Sequence, residues 1–466
     1  MARRPITISQ PLSRRVYWAA VYRSERRTVF ASLKEEKRAA DLSRARRIFL
    51  LVIISMGSSI IYTPAYLKFV FYNELMAALH ITNEQVGTLL SAYAITATIC
   101  YLPSGIVADK VRARTLSWVG FALTALLTFV YATLPSYNTL MFVFVGMGLT
   151  TILIWWGIRF KVIRLISGEG EYSRNIGLSY GLYGAAGLVV GLVNTFIVTK
   201  LAASPEVGMR VLIIFLGILI AVLAVLSFLF IPRFADEIGG DGTGFSFKGV
   251  GKALTMPVVW LSSACMFFVY FYYTGVTYTT PYLKGALGAS ATLVLLIGTI
   301  RTYGITLFSG PVFGAIASKV GSPSRVITVG SVLAAVVLLG FVFLPQKPAI
   351  AVLAAVLVIF LGFVANGVFG IVSGQLTEGK VPLEVFGTAS GLLSVVGFLP
   401  DTFSSTWFGK LMDQKGNAAY NDIFIILAIS ALIAGAIAMV LLWYVKKHKA
   451  DEPLDEAVAD AGIVEA

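Results

Sequence analysis

Twelve stretches of this chain stay apolar for 18 residues or more, the length at which one helix crosses the hydrocarbon of a bilayer. They run Ile48–Val70, Val86–Ala108, Leu116–Leu134, Leu140–Ile163, Ile176–Leu201, Val211–Ile231, Val258–Leu283, Thr292–Ala317, Val326–Leu344, Ala349–Leu376, Phe386–Leu411 and Ile423–Val445. Backbone groups in lipid have no water to bond, so each stretch must satisfy them internally as a helix. A spanning β-barrel would need short alternating strands, and the sequence has none. Composition agrees: 57% of residues are hydrophobic and 13% charged, against roughly 25% charged in soluble domains. The reading is an all-α integral membrane protein of twelve transmembrane helices.

Basic residues set the orientation. Of 37 Lys and Arg, 29 fall in the N-terminal tail, the even-numbered loops and the C-terminal tail, seven fall on the other side, and Arg301 stays within a run. The positive side is the cytoplasmic one, so both termini are expected there, in an inner or plasma membrane. The expected organisation is a basic tail (1–47), a six-helix half (48–232), a cytoplasmic linker (233–257), a second six-helix half (258–445) and a C-terminal tail (446–466). The first tail holds 13 basic residues and no apolar h-region before Ile48, so it is not a cleavable secretory signal. It reads as a basic arm on anionic headgroups, with a regulatory or docking arm as the alternative. The last tail is acidic, rich in small residues, and reads as disordered.

Cys100 and Cys265 lie in apolar runs, and His80 and His448 are far apart, so metal and disulfide chemistry are not expected. No Ser/His/Asp or Cys/His constellation and no phosphate-binding loop is present. The expectation is therefore neither an enzyme nor an ATP-driven pump, with no cofactor and no nucleic-acid partner, acting as a monomer.

The chain echoes itself. "GIVADKVRAR" from Gly105 and "GAIASKVGSPSR" from Gly314 align at an offset of 209, while Gly177, Gly181 and Gly187 align with Gly387, Gly391 and Gly397 at 210. A six-helix unit thus occurs twice in one orientation, an arrangement found in secondary transporters with the substrate site between the halves.

On these residues the chain resembles the major facilitator superfamily over about Ile48 to Val445. The family's loop motif is met at Gly105, Ala108, Asp109, Lys110 and Arg114, with Arg112 in place of its second glycine and Ala113 in place of its first arginine. The resemblance implies a latch in which Asp109 and its basic neighbours meet the start of the eleventh helix, a carboxylate against a helix N-terminus. The alternative is that these charges only set topology. "TYTTPYLKGALG" and "GTASGLLSVVGFLPDTF" resemble the organophosphate-antiporter-related branch, and within it the YihN-like members. The phosphate clamp of two arginines in that branch is missing: the seventh run has Tyr273 near one position, and the first run offers Tyr62, Thr63, Tyr66 and Lys68. Phosphate exchange is not carried over.

The family fold implies that the first, fourth, seventh and tenth helices line the cavity. Tyr62 and Tyr66 share a helix face there, and Lys68 either joins them or snorkels to the far headgroups. Arg159 is either a substrate contact or an interface anchor, as are its neighbours Trp155 and Trp156 as cavity wall or belt. Some of Tyr270, Tyr273 and Tyr278 are expected to turn hydroxyls to the path, and Asn366 and Gln375 are lesser polar candidates. Arg301 and Asp401 are the deepest formal charges and need a partner or water. Arg301 is a candidate anion site or half of an ion pair; Asp401, behind Pro400, is a candidate proton carrier or buried charge. The function expected is a secondary active transporter of a small polar, anionic solute, with H+ as candidate coupling ion. A non-transporting solute sensor and a multidrug efflux pump are the alternatives.

Overall fold

The computed structural model describes residues 36–167, 172–201, 204–235, 237, 251 and 253–450. Most of the basic tail, the bulk of the linker and the end of the acidic tail lie outside these residues, as does the side chain of Asp109.

Twelve helices cross the fold. α1 is Arg44–Tyr62 continued by Lys68–Leu79, α2 is Asn83–Lys110, α3 is Ala113–Ala132 and α4 is Tyr137–Ile166. α5 begins as Tyr172–Phe196, and α6 is Pro205–Phe230. α7 is Pro257–Gly285, α8 is Ala291–Gly304 with Thr306–Val320, α9 is Pro323–Phe343 and α10 is Pro348–Ile371. α11 is Leu383–Gly397 with Ser404–Lys415, and α12 is Ala419–Ala450. Among the described residues nine stretches are long and apolar enough to span, ten with the bent α8. The Thr388–His448 stretch holds both α11 and α12. With α2, whose 28 residues rise about 42 Å, the number is twelve.

Buried apolar side chains gather into two clusters, one mainly from residues 42–234 and one mainly from 258–438. Outward, Phe142, Phe343, Val329 and Val352 are exposed, the surface lipid would cover. On the face where α1 begins and α12 ends, termed the termini face, Glu36–Lys37 pairs in parallel with Arg233–Phe234. Beside this pair the Glu237 carboxylate accepts from the Ala113 N–H at 3.0 Å and from Arg112, which also bonds Glu36 at 2.5 Å. Burial raises the Glu237 carboxyl above its usual range, against the pull of that N–H and nearby cations.

The halves close on the opposite face. An added Cβ at Gly87 would stand 2.1 Å from the Ser405 carbonyl oxygen, and one at Gly409 2.2 Å from that of Asn83. Between α5 and α8, Gly184, Gly187 and Gly191 receive Leu307, Tyr303 and Thr299. Towards the termini face the same helices part: among the described residues nothing lies within 4 Å of a Cβ added at Gly177, Gly181, Gly310, Gly314 or Gly105. The molecule is open to the termini face.

At the closed end Asp413 of α11 caps α2 across the two halves. Its carboxylate accepts from the Asn83 N–H at 3.1 Å, the Asn83 amide at 2.7 Å and the Glu84 N–H at 2.7 Å. Thr82 and Gln85 form the capping box of the same helix.

Candidate functional site

The three deepest charges all sit where a helix loses regularity. Pro64 has no N–H to give, and α1 breaks into turns between Tyr62 and Lys68, with a further kink at Phe71. α8 widens to a π-turn over Ile300–Gly304 and bends by 44°, carrying Arg301. α11 tightens to a 3₁₀ turn over Leu399–Thr402 behind Pro400, carrying Asp401. Such breaks at membrane depth persist where protein or water covers the freed groups.

Arg301 is 8% exposed. Its Nη2 donates to the Phe69 carbonyl of α1 at 2.8 Å and to Thr302 Oγ1 at 3.0 Å, while Nε is buried without a partner. The stem lies on Gly362 of α10, where a Cβ would come 2.8 Å from Arg301 Cγ. It borders a small, narrow cavity walled also by Phe69, Tyr273, Thr277 and Thr302. Tyr273 stacks on Phe369 at 4.6 Å and accepts from the Asn366 amide at 3.2 Å; Asn366 accepts from Ser309 at 2.7 Å.

Arg301 and Asp401 do not pair. Asp401, 4% exposed, accepts from the Tyr270 hydroxyl at 2.7 Å, and its nearest cation is Lys68, close enough for their charges to interact. Lys68 donates instead to Ser405 Oγ at 2.6 Å and lies 5.6 Å from the Tyr278 ring. It does not snorkel. α1 runs 11 residues beyond it, about 16 Å by helical rise, so the depth read from an end at Val70 was too shallow. Tyr72 and Glu74, which ended the apolar run, are themselves buried, Glu74 against Lys284 at 2.9 Å.

Aromatic rings join these charges. Tyr66 meets Tyr93 at 5.3 Å, Tyr62 meets Trp156 at 6.4 Å, Tyr101 meets Trp156 at 5.2 Å, and Phe398 takes Tyr101 at 5.7 Å and Tyr270 at 4.7 Å. The sequence reading passed over Tyr93, Tyr101, Phe369 and Phe398, since rings are ordinary filling in membrane helices. Tyr93 and Tyr101 are eight apart, two turns on one face, which was the available signal.

The remaining candidates lie elsewhere. Tyr278 is buried with its hydroxyl on the Ser405 carbonyl at 3.3 Å. Gln375 is fully buried and donates to Ser324 at 3.1 Å, away from Arg301's partners. Arg159 is buried beside α5, over Tyr180 at 4.3 Å. Of the loop-motif residues, Lys110 is exposed, Arg114 lies over Phe228 at 4.8 Å and Gly105 faces open space. Among the described residues no cluster of His, Cys, Asp or Glu suits a metal.

The sequence matches the Major Facilitator Superfamily profile over residues 48–405. It is 26% identical over 386 residues to the inner membrane protein YqcE of Escherichia coli (strain K12), covering 82% of this chain and 91% of the relative. It is 23% identical to the inner membrane protein YihN of the same organism, covering 88% and 98%. In fold it is similar to a bacterial homolog of the human lysosomal transporter Spinster, in an inward-facing and unoccupied conformation, with TM-score 0.69, 15% identity and coverage of 86% and 98%. It is also similar to the nucleoside transporter NupG, with TM-score 0.64, 16% identity and coverage of 84% and 98%. The twelve-helix membrane fold and the profile over most of the chain lead to one assignment: this chain belongs to the Major Facilitator Superfamily, and it is a transporter rather than an enzyme.

Proposed function

We propose that the protein is a secondary active transporter of a small organic anion, working in the inner membrane with both termini cytoplasmic and a proton as coupling ion. The membrane is the one named for the two relatives, and the orientation follows from the basic residues. One observation carries the substrate reading: Arg301 is a buried cation at the cavity wall, with an unused Nε and no carboxylate partner among the described residues. A cation held this way costs several kcal/mol, and a bound anion offsets that cost. Tyr273 and Thr277 of the cavity wall supply hydrogen bonds for the rest of a polar solute, with Asn366 holding the Tyr273 hydroxyl.

Alternation follows from the two ends. Here the termini face is open; in the opposite state Asp109 and its neighbours meet the start of α11, and Lys68 leaves Ser405. Uptake into proteoliposomes tests transport itself: specific binding without flux would return the protein to the sensor class, and preference for lipophilic cations would return it to efflux. Arg301→Gln tests the site. Losing a charge-assisted contact worth about 1.5–3 kcal/mol lowers affinity for the transported anion roughly 10- to 150-fold. Unchanged affinity in a folded Arg301→Gln protein would make Arg301 a structural clamp on Phe69. A thermal-stability screen across organic acids, sugar acids, sulfonates and sugar phosphates finds the ligand for both measurements.

A further inference from the structure

A second arginine stands apart from the Arg301 cavity. Arg159 of α4 is 9% exposed, and its Nε donates to Ser179 Oγ at 3.0 Å, with Ser55 Oγ 2.8 Å further on. A guanidinium has five N–H donors. Neither terminal amino group of Arg159 has a hydrogen-bond partner among the described residues, and Nη2 is fully buried. The guanidinium carbon lies over rings, Tyr180 at 4.3 Å, Tyr183 at 5.4 Å and Phe160 at 5.8 Å. The group is thus fixed at one nitrogen, faced by aromatics, and left with its anion-binding edge unused.

The cage borders the open side of the molecule. Tyr180 is half-exposed, and Gly177 and Gly181 beside it on α5 face empty space. Arg159 lies seven residues before the end of α4, about 10 Å by helical rise. Tyr183 has Arg159, Tyr273 and Tyr303 among its electrostatic neighbours, and the last two flank Arg301. Tyr183 is thus within electrostatic reach of Arg159 and of the tyrosines near Arg301.

We propose that Arg159, held by Ser179 and faced by Tyr180 and Tyr183, is a separate oxyanion station, which takes the carboxylate, phosphate or sulfonate group of a soluble anion on the termini side of the Arg301 site. Planar guanidinium suits such groups through two parallel N–H bonds. The assignment of travel to Arg301 rests on the anion-transport reading above; binding at Arg159 does not.

The test uses the purified full chain in detergent, with sulfate as probe against chloride at matched ionic strength. Phenylglyoxal modifies accessible arginines, and peptide mass spectrometry reads each site. Sulfate is expected to slow modification of Arg159 saturably, by about tenfold, in the unmodified protein and equally in Arg301→Gln. Sulfate-dependent thermal stabilisation remains in Arg301→Gln, falls in Arg159→Gln, disappears when both are changed to Gln, and survives in part in Arg159→Lys. If Arg159→Gln does not fold, Tyr180→Ala serves, with protection of Arg159 weakened several-fold. Absence of saturable protection, or its loss in Arg301→Gln, overturns the station. A tightly held phospholipid that native mass spectra detect in the unmodified protein but not in Arg159→Gln also overturns it, since a lipid phosphate would be the occupant. Intact protection of Arg159 alongside unimpaired transport by Arg301→Gln would fail the central reading and spare the station.

Discussion

Gly409→Ala is expected to shift the protein towards opening on the far face, and Gly181→Leu to hold it open on the termini face, with transport lost in both. The first substitution meets backbone: a Cβ at Gly409 stands 2.2 Å from the Asn83 carbonyl oxygen, and neither helix can yield without separating. Overpacking of this kind costs about 1–3 kcal/mol, enough to move a two-state balance roughly 5- to 150-fold. Among the described residues nothing lies within 4 Å of a Cβ at Gly181, so leucine is expected to be tolerated in the present conformation. It obstructs only the state in which α5 and α8 close at the termini face, where Gly177 and Gly181 must approach Gly310 and Gly314. Single cysteines placed at each mouth and labelled with membrane-impermeant maleimide read the difference. Gly409→Ala raises labelling at the far mouth and Gly181→Leu lowers it. The same response from both would show that the glycines only support folding.

Asp401→Asn is expected to abolish accumulation against a gradient while leaving exchange intact. In the closed far-face arrangement the carboxylate has Tyr270 as hydrogen-bond donor and Lys68 as its nearest cation. Lys68 belongs to the first half and is tied to Ser405 of the second. Opening the far face breaks that tie and carries the ammonium away from Asp401. The carboxylate then stands in low dielectric without its cation, and a proton is the smallest species that neutralises it. One proton per solute under two pH units supports about 100-fold accumulation, because each unit is worth about 1.4 kcal/mol. Proteoliposomes with a pH gradient should therefore concentrate labelled solute in the unmodified protein and only equilibrate it in Asp401→Asn. Counterflow, which needs no net proton movement, continues at a similar rate. Full accumulation by Asp401→Asn would assign coupling to another group and leave Asp401 as a buried structural charge.

The sequence carried the frame because hydrophobic length and Lys/Arg placement are local quantities, and each of the twelve runs can be read alone. Arg301 and Asp401 were visible for the same reason: a formal charge inside an apolar run has no local excuse. What escaped were facts that depend on two distant segments. α1 seemed to end at Val70 because Tyr72, Asn73 and Glu74 look like interface, yet Tyr72 is buried against residues such as Met412, at the far end of α11. Lys68 could be placed only once Ser405 was known to face it. Gln375 was a reasonable candidate by type and helix, but the short helix Gly374–Glu378 turns it towards Ser324. Nothing near Asp413 in the chain announces that it closes on Asn83.

That closure bears on how the molecule can cycle quickly. Four N–H groups at the start of α2 lack an intrahelical acceptor, and each has another: Asn83 and Glu84 use Asp413, while Thr82 and Gln85 use one another's side chains. When the halves part, only the first two lose their partner, and this end of the helix meets water that replaces it. Thr82 and Gln85 keep theirs in the capping box, so the turn does not fray and nothing has to refold before the far face shuts again. Opening and closing thus reduce to the separation of two rigid bodies whose helix ends are each already whole.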